Sequence, residues 1–230
     1  MTPDMPATSH ELARWAESLA AIARTGLAFT ESLYERERFE EVLKVAADIR
    51  VRFDSEHHVS VVVEEWIQSV GQGVAGYVTP KVAVGAVVGN DNGQLLLVQR
   101  SDSLIWLYPT GWADVGYSLS EVVVKEVEEE TGIECEPLQV LSIVDGFRMG
   151  FTRVPMHLVV FHCRATGGSI NRHPLETADA GWFDFNDLPE PMPGAQWWLP
   201  MAHAAIVGGE QFATSFDAPR PEIWQGDHTK

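Results

Sequence analysis

The sequence predicts an α/β protein, in which a mixed sheet with helices is preceded by a small all-helical domain. Three observations support this. Apolar side chains recur at helical spacing through residues 1–72. From Tyr77 the chain changes to valine-rich runs and turn signals, which are typical of strands. A glutamate-rich stretch near residue 126 again has helical spacing. We therefore predict a helical domain at 1–72 and a second domain at 73–230.

Three helices are predicted in the N-terminal domain. Thr8 and Glu11 have the spacing of a capping box, and the apolar pattern that follows ends near Gly26, which we interpret as a helix stop. A second apolar face predicts a helix at 34–50. The apolar run 59–70 fits a helix or a strand, and we assign it as a helix.

The second domain should begin with a β-hairpin. The valine-rich run 82–88 and the run 95–98 flank Asn90-Asp91-Asn92-Gly93, whose composition is typical of a hairpin turn. Further apolar runs predict strands at 138–145, 156–163 and 181–185, and a last helix follows a proline-rich segment.

The glutamate-rich stretch predicts a helix that begins at Ser118 and ends at Gly132. Within it Glu126, Glu129 and Glu130 stand at i, i+3 and i+4, a spacing that puts three carboxylates on one helix face. Like charges so placed repel each other, and a divalent cation such as Mg²⁺ would offset that repulsion. The alternative is an acidic helix face that is merely solvated.

The net charge of −17 argues against nucleic acid or an anionic membrane as a partner. It would also repel a phosphorylated substrate, which is a second reason to expect a metal ion. The N-terminal domain is itself acidic, so we do not expect it to read DNA. Cys135 and Cys163 are expected to be small buried side chains. Neither a signal peptide nor a membrane span is evident, which favours the cytoplasm.

The stretch GWADVGYSLSEVVVKEVEEETGI resembles the signature of the Nudix hydrolases. That signature is Gly, five residues, Glu, seven residues, Arg-Glu, an aliphatic residue, any residue, Glu-Glu, any residue, Gly and an aliphatic residue. Gly111 opens it, and residues 126–133 match its second half in register. Trp106 begins the Trp-x-x-Pro approach that usually precedes it. Tyr117 replaces the first glutamate and Lys125 replaces the arginine.

The resemblance implies an α/β/α sandwich and hydrolysis of a phosphate–phosphate bond with Mg²⁺ or Mn²⁺. It implies Glu126 and Glu130 as metal ligands, with Glu129 shared or bridging, and the carbonyl of Thr110 as a further ligand. Lys125 would orient a glutamate or contact phosphate; the alternative is an ordinary surface ion pair with a glutamate one turn away.

Three more residues are candidates for substrate binding. Arg100 ends a predicted strand and could hold a phosphate, or be an ordinary surface charge. Trp106 could stack on a base or belong to the core. Glu176 lies in a loop where Nudix enzymes often place an extra metal ligand or a base, although it could equally be a solvated carboxylate.

The N-terminal helices and the wording TGWADVG resemble one bacterial Nudix subgroup that acts on nucleoside diphosphates linked to another moiety. Its members include CDP-choline pyrophosphatase and proteins named ADP-ribose pyrophosphatase. The apolar face of the N-terminal helices and the adjacent Trp197 and Trp198 predict a homodimer. The competing hypothesis is a catalytically weak nucleotide-binding sensor or interaction module, which Tyr117 and Lys125 would favour.

Overall fold

The computed structural model describes residues 8–52, 58–70, 79–114, 116–152, 154–208 and 213–218. The predicted domain boundary between residues 72 and 73 lies outside them and stays a prediction. The chain divides into two compact units, Met1–Pro80 with Phe147–Pro155, and Lys81–Gly146 with Met156–Lys230. The helices and strands are α1 Ser9–Phe29, α2 Leu33–Val51, α3 Val59–Gln68, β1 Lys81–Gly89, β2 Leu95–Arg100, β3 Trp106–Leu107, β4 Thr110–Trp112, α4 Leu119–Thr131, β5 Ile133–Asp145, β6 Met156–Gly168, β7 Thr177–Phe183, α5 Ala195–Ile206 and β8 Ser215–Phe216.

The first unit confirms the three predicted helices. The capping box of Thr8 and Glu11 is present at the start of α1, but Gly26 does not end this helix, which continues to Phe29. A Cβ atom at Gly26 would lie 2.3 Å from the ring of Phe39. Gly26 is therefore the place where α2 approaches α1 closely, and its lack of a side chain serves packing rather than termination.

A small core holds the three helices together. Alanines of α1 and α2 pack with Leu43, Val62 and Trp66, all of them buried. Arg50 forms an ion pair with the buried Glu17 at 2.9 Å and lies over the Trp66 ring. Among the described residues, no helix has both the length and the apolar character needed to cross a membrane.

In the part of the second unit that the structure describes, the strands form one mixed sheet of eight. Its main order is β3-β2-β1-β6-β5-β8, with β4 added to β1 and β7 added to β2. The central pair β1–β6 is parallel, and β1–β2 and β5–β6 are antiparallel. The predicted hairpin turn is confirmed, because the Asn90 side chain accepts hydrogen bonds from the backbone of Asn92 and Gln94.

Helices cover both faces of this sheet, as the α/β/α sandwich requires. On one face, alternate residues of β1 such as Val84 and Ala86 pack with Val123 and Val127 of α4. On the other face of the sheet, the ring of Tyr108 packs against Gly85. The side chain of Tyr108 packs edge-to-face on Trp198 of α5, with ring centroids 4.9 Å apart.

Trp198 is thus buried in the core of this unit. The expectation that Trp197 and Trp198 together present an apolar surface for a dimer is wrong in this respect, because the indole of Trp198 is already covered by Tyr108. The helices of the first unit do expose large apolar side chains, among them Ile22 and Phe29 of α1.

Candidate active site

The centre of the candidate site is the approach of α4 to β4. The capping box of Ser118 and Glu121 begins α4, and Gly132 ends it in the left-handed conformation at φ 72°. Glu121 thus serves as a capping residue. Strand β4 pairs with β1, with Gly111 opposite Val84 on the face that α4 covers. This geometry directs one side of α4 at the backbone of residues 110–111.

Glu126 lies directly over Gly111. A Cβ atom at Gly111 would be 2.0 Å from Cδ of Glu126 and 2.2 Å from its Oε1. Only a glycine leaves room for this carboxylate against the strand. Burial is the main cause that raises the pKa of Glu126 to about 7, with the negative charges of Glu129, Asp114 and Glu176 adding to it and Lys125 opposing it.

Glu130 is the more enclosed of the two carboxylates, with 9% of its surface exposed. Its Oε2 accepts a hydrogen bond from the backbone N–H of Thr110 at 3.1 Å. Burial raises the pKa of Glu130 to about 8; the Thr110 N–H lowers it, the charge of Glu126 raises it, and Arg100 lowers it. The structure therefore brings Glu126 and Glu130 to the backbone of residues 110–111, where the observed contact is the Thr110 N–H; the Thr110 carbonyl as a metal ligand stays a prediction.

Glu129 is paired with a lysine of the same helix. Its carboxylate lies 3.4 Å from Nζ of Lys125, which also donates a hydrogen bond to Asp114 at 3.0 Å. The hydrogen bond to Asp114 is the main cause that raises the pKa of Lys125. This contact fits both an orienting role for Lys125 and an ordinary surface ion pair one turn apart, so the role of Lys125 stays a prediction. Asp114 is a partner that the sequence spacing did not indicate.

An open groove of about 680 Å³ runs along the outer side of α4. Lys125, Glu128, Glu129, Val124 and Pro137 contribute to its walls. It does not include Glu126 or Glu130. The groove therefore borders the candidate site only through Lys125 and Glu129.

Arg100, the last residue of β2, contributes positive charge to the site. Its guanidinium donates two hydrogen bonds to Asp102, at 3.0 and 2.7 Å. These bonds raise the pKa of Arg100, and the charges of Glu130 and Glu176 raise it further. Arg100 is thus within electrostatic reach of the glutamates, with its guanidinium held in a fixed direction.

Glu176 approaches the site from the segment between β6 and β7. Its side chain is largely exposed, and its charge raises the pKa of both Glu126 and Glu130. The backbone N–H of Ser101 donates to the Glu176 carbonyl at 2.9 Å. The charge of Glu176 thus acts on both glutamates, and its role as an extra metal ligand or a base stays a prediction.

The last two positions that the sequence analysis singled out are Trp106 and Tyr117. Trp106 is buried, with its ring edge-to-face on Phe183 at 5.2 Å, so the structure gives it a core role and its contact with a base stays a prediction. Tyr117, which replaces the first signature glutamate, has an exposed side chain. It supplies no carboxylate to the site.

The oxygen donors present suit a hard divalent cation. Among the described residues, no three Asp, Glu, His or Cys side chains are already gathered as a metal-binding cluster. The pair of Glu126 and Glu130 nonetheless fits one, because Gly111 leaves space for a carboxylate and both pKa values are raised by burial and like charge. A cation between them would offset that repulsion.

Comparison with protein families supports this interpretation. The family model described as the NUDIX domain matches residues 79–203. A second model, described as a UDP-X-like N-terminal oligomerisation domain, matches residues 10–56. The two matches cover the sheet with its signature helix and the first two helices, respectively.

Individual relatives carry related names. YjhB of Bacillus subtilis, whose name assigns it provisionally as an ADP-ribose pyrophosphatase, is 35% identical over 176 residues, which are 76% of this chain and 81% of that protein. The crystal structure of an ADP-ribose pyrophosphatase from Streptococcus suis is 33% identical, with a TM-score of 0.52, and covers 60% of this chain and 100% of its own.

A crystal structure of a UDP-X diphosphatase covers 91% of this chain and 99% of its own, at 24% identity and a TM-score of 0.52. At this identity the match supports the fold alone. The signature helix, the sandwich and the family match agree with one another. The chain therefore belongs to the Nudix hydrolase family, and its N-terminal helices match the UDP-X-like oligomerisation domain.

Proposed function

We propose that this Nudix pyrophosphohydrolase splits a nucleoside diphosphate linked to a second moiety into a nucleoside monophosphate and the phosphorylated moiety. The observation that carries the proposal is the pair of Glu126 and Glu130, held at Thr110 and Gly111 with both pKa values raised. Two acidic groups so placed are costly without a cation and well suited to one.

Glu126 and Glu130 would hold Mg²⁺ or Mn²⁺, with Glu129 and the Thr110 carbonyl as further oxygen donors. When bound, such an ion lowers the pKa of a coordinated water and neutralises charge that develops on phosphate oxygens. Nudix hydrolases generally use divalent metals, so the choice between the two ions is the finer part of the proposal.

The protein's own side chains have separate tasks. Lys125 draws the Glu129 carboxylate toward Asp114 and fixes its direction. Arg100, held by Asp102, presents positive charge to a substrate phosphate. Glu176 accepts the proton from the attacking water as the water oxygen bonds to phosphorus and the bond to the bridging oxygen breaks.

ADP-ribose is the first substrate to test, because a Bacillus subtilis relative and a Streptococcus suis structure carry that name. CDP-choline is the second, because the N-terminal helices and the wording TGWADVG resemble a Nudix subgroup whose members include CDP-choline pyrophosphatase. UDP-linked substrates form a third arm, since the N-terminal model and one solved structure carry the UDP-X name. All three present the same diphosphate to the glutamates.

We further propose a homodimer formed through α1. Trp15, Ile22 and Phe29 recur at seven-residue spacing and are 44%, 64% and 60% exposed, whereas the alanines at 16, 20 and 23 of the same helix are buried. The match of residues 10–56 to an oligomerisation domain supports this surface as the contact between two copies.

The test is a screen of ADP-ribose, CDP-choline and UDP-linked compounds with Mg²⁺ and with Mn²⁺, scored by release of nucleoside monophosphate. Glu130→Gln should abolish the release, whereas Glu128→Gln, an exposed residue of the same helix, should leave it unchanged. Nucleotide binding without hydrolysis of any compound would instead support the sensor or interaction module. The replacement of the first signature glutamate by Tyr117 would then account for the missing activity.

A further inference from the structure

The loop between β6 and β7 connects two parts of the candidate site through its backbone. The N–H of His173 donates to the carbonyl of Glu130 at 3.3 Å, and the N–H of Ser101 donates to the carbonyl of Glu176 at 2.9 Å. Thr177 N–H donates to the carbonyl of His173 at 3.1 Å. The segment from His173 to Glu176 is therefore fixed at one end to α4 and at the other to the loop that follows Arg100.

The imidazole of His173 has an unusual environment. Its Nδ1 atom is buried, and among the described residues it has no hydrogen-bond partner. An unpaired buried polar atom of this kind costs free energy. Oε2 of Glu176 lies 3.8 Å from this nitrogen, which places the ring beside the carboxylate whose charge raises the pKa of Glu126 and Glu130.

We propose that His173 is a positioning residue that acts through Glu176, holding this carboxylate toward the glutamate pair by a hydrogen bond from Nδ1–H. The proposal rests on the proposed function of Glu176 at the reacting water. It gives the unpaired nitrogen a partner, and it assigns to His173 a role that no signature residue supplies.

The geometry requires only a small movement. A nitrogen–oxygen hydrogen bond is about 2.9 Å long, so the two atoms must approach by roughly 0.9 Å. The backbone bonds of His173 and Ser101 fix both ends of the segment, so rotation of the exposed Glu176 side chain is sufficient. Outer partners that orient a site carboxylate in this way typically contribute about 10–100-fold to activity or metal affinity.

The experiment is a double-mutant cycle on the full-length protein with the best substrate of the screen. His173→Phe keeps a planar ring but removes the nitrogen, and His173→Asn keeps a donor near the Nδ1 position. We expect kcat to fall by about 10–100-fold in His173→Phe with little change in KM, and to recover in His173→Asn. In a Glu176→Gln background, His173→Phe should change kcat by less than about twofold.

An equal loss from His173→Phe in both backgrounds would overturn the proposal, as would full activity of Glu176→Gln. Thermal midpoints of all variants separate these effects from misfolding. If Glu130→Gln is inactive and the effects of the His173 and Glu176 variants on kcat simply add, the positioning role of His173 is wrong while the proposed function stands. If no substrate is hydrolysed, the ring ¹⁵N shift of His173 decides: it should change in Glu176→Gln, and an unchanged shift would overturn the proposal.

Discussion

Gly111→Ala should separate the site from the fold. A Cβ atom at this position would lie 2.0 Å from Cδ of Glu126 and 2.2 and 2.3 Å from its two oxygens. The obstructing group is the end of a flexible side chain, so it can swing away while α4 and β4 stay in place. The backbone of Gly111 is not in the left-handed region that favours glycine, so alanine adds no strain of its own.

The magnitude follows from the distances. Carbon atoms that are not bonded come no closer than about 3.4 Å, so the Glu126 carboxylate has to move by at least about 1.4 Å. A misplacement of about 1 Å at a catalytic centre can cost about 100-fold in rate. We therefore expect kcat to fall by about 100-fold or more. The thermal midpoint of the metal-free protein should stay the same or rise, because the displaced carboxylate regains solvent.

A second glycine provides the control. A Cβ atom at the exposed Gly167 of β6 would also meet a glutamate tip, 2.9 Å from Oε2 of Glu134, but away from the site. Gly167→Ala should leave turnover unchanged when both variants are assayed for monophosphate release under the same conditions. Full turnover by Gly111→Ala would refute the placement of Glu126 at this strand.

Three further predictions concern pH, the signature and assembly. Because folding raises the pKa of Glu126 to about 7 and of Glu130 to about 8, from 4.5, the metal-free protein should lose stability as pH rises from 5 to 9. Calorimetry should show a smaller loss in Glu130→Gln, and an unchanged pH slope would contradict these shifts. Tyr117→Glu, at an exposed side chain, should tighten Mn²⁺ binding in titration without altering the thermal midpoint; unchanged affinity would place this position outside the site. Ile22→Asp should convert a dimer into a monomer in light scattering, whereas Val45→Asp on α2 should not, and a wild-type monomer at micromolar concentration would refute the dimer.

The boundaries of α4 were predictable because local chemistry sets them. Ser118 and Glu121 form the capping box, and Gly132 takes the left-handed conformation that ends the helix. Gly26 shows where the same reasoning fails. A glycine that ends a helix and a glycine that admits the ring of Phe39 look alike in a sequence, and only the packing of two helices distinguishes them.

The glutamate face was predicted as one cluster of three, and the structure divides it. Successive helical residues are about 100° apart, so Glu126 and Glu130 differ by about 40° around α4, whereas Glu129 and Glu130 differ by about 100°. The first two reach β4, and Glu129 reaches Lys125. Spacing gives the face of a helix but not the partners that neighbouring strands and loops offer.

Contacts between segments distant in sequence account for the rest. Asp102 next to Arg100 carries no pattern that marks it as its partner, and Asp114 becomes a partner of Lys125 only after the turn before α4 is formed. His173 was missed for the same reason, since its closeness to Glu130 depends on the path from β6 to β7. The homodimer and the cytoplasmic location stay predictions.

The most direct test of the central claim, that Glu126 and Glu130 hold the metal, is Mn²⁺ binding measured by paramagnetic resonance in the absence of substrate. The variants Glu126→Gln and Glu130→Gln each remove one oxygen charge from the pair, and Glu128→Gln makes the same change on the exposed side of α4. We expect the first two to bind Mn²⁺ at least about tenfold more weakly than the wild type, and Glu128→Gln to bind it normally. Equal affinity in all four proteins would contradict the account.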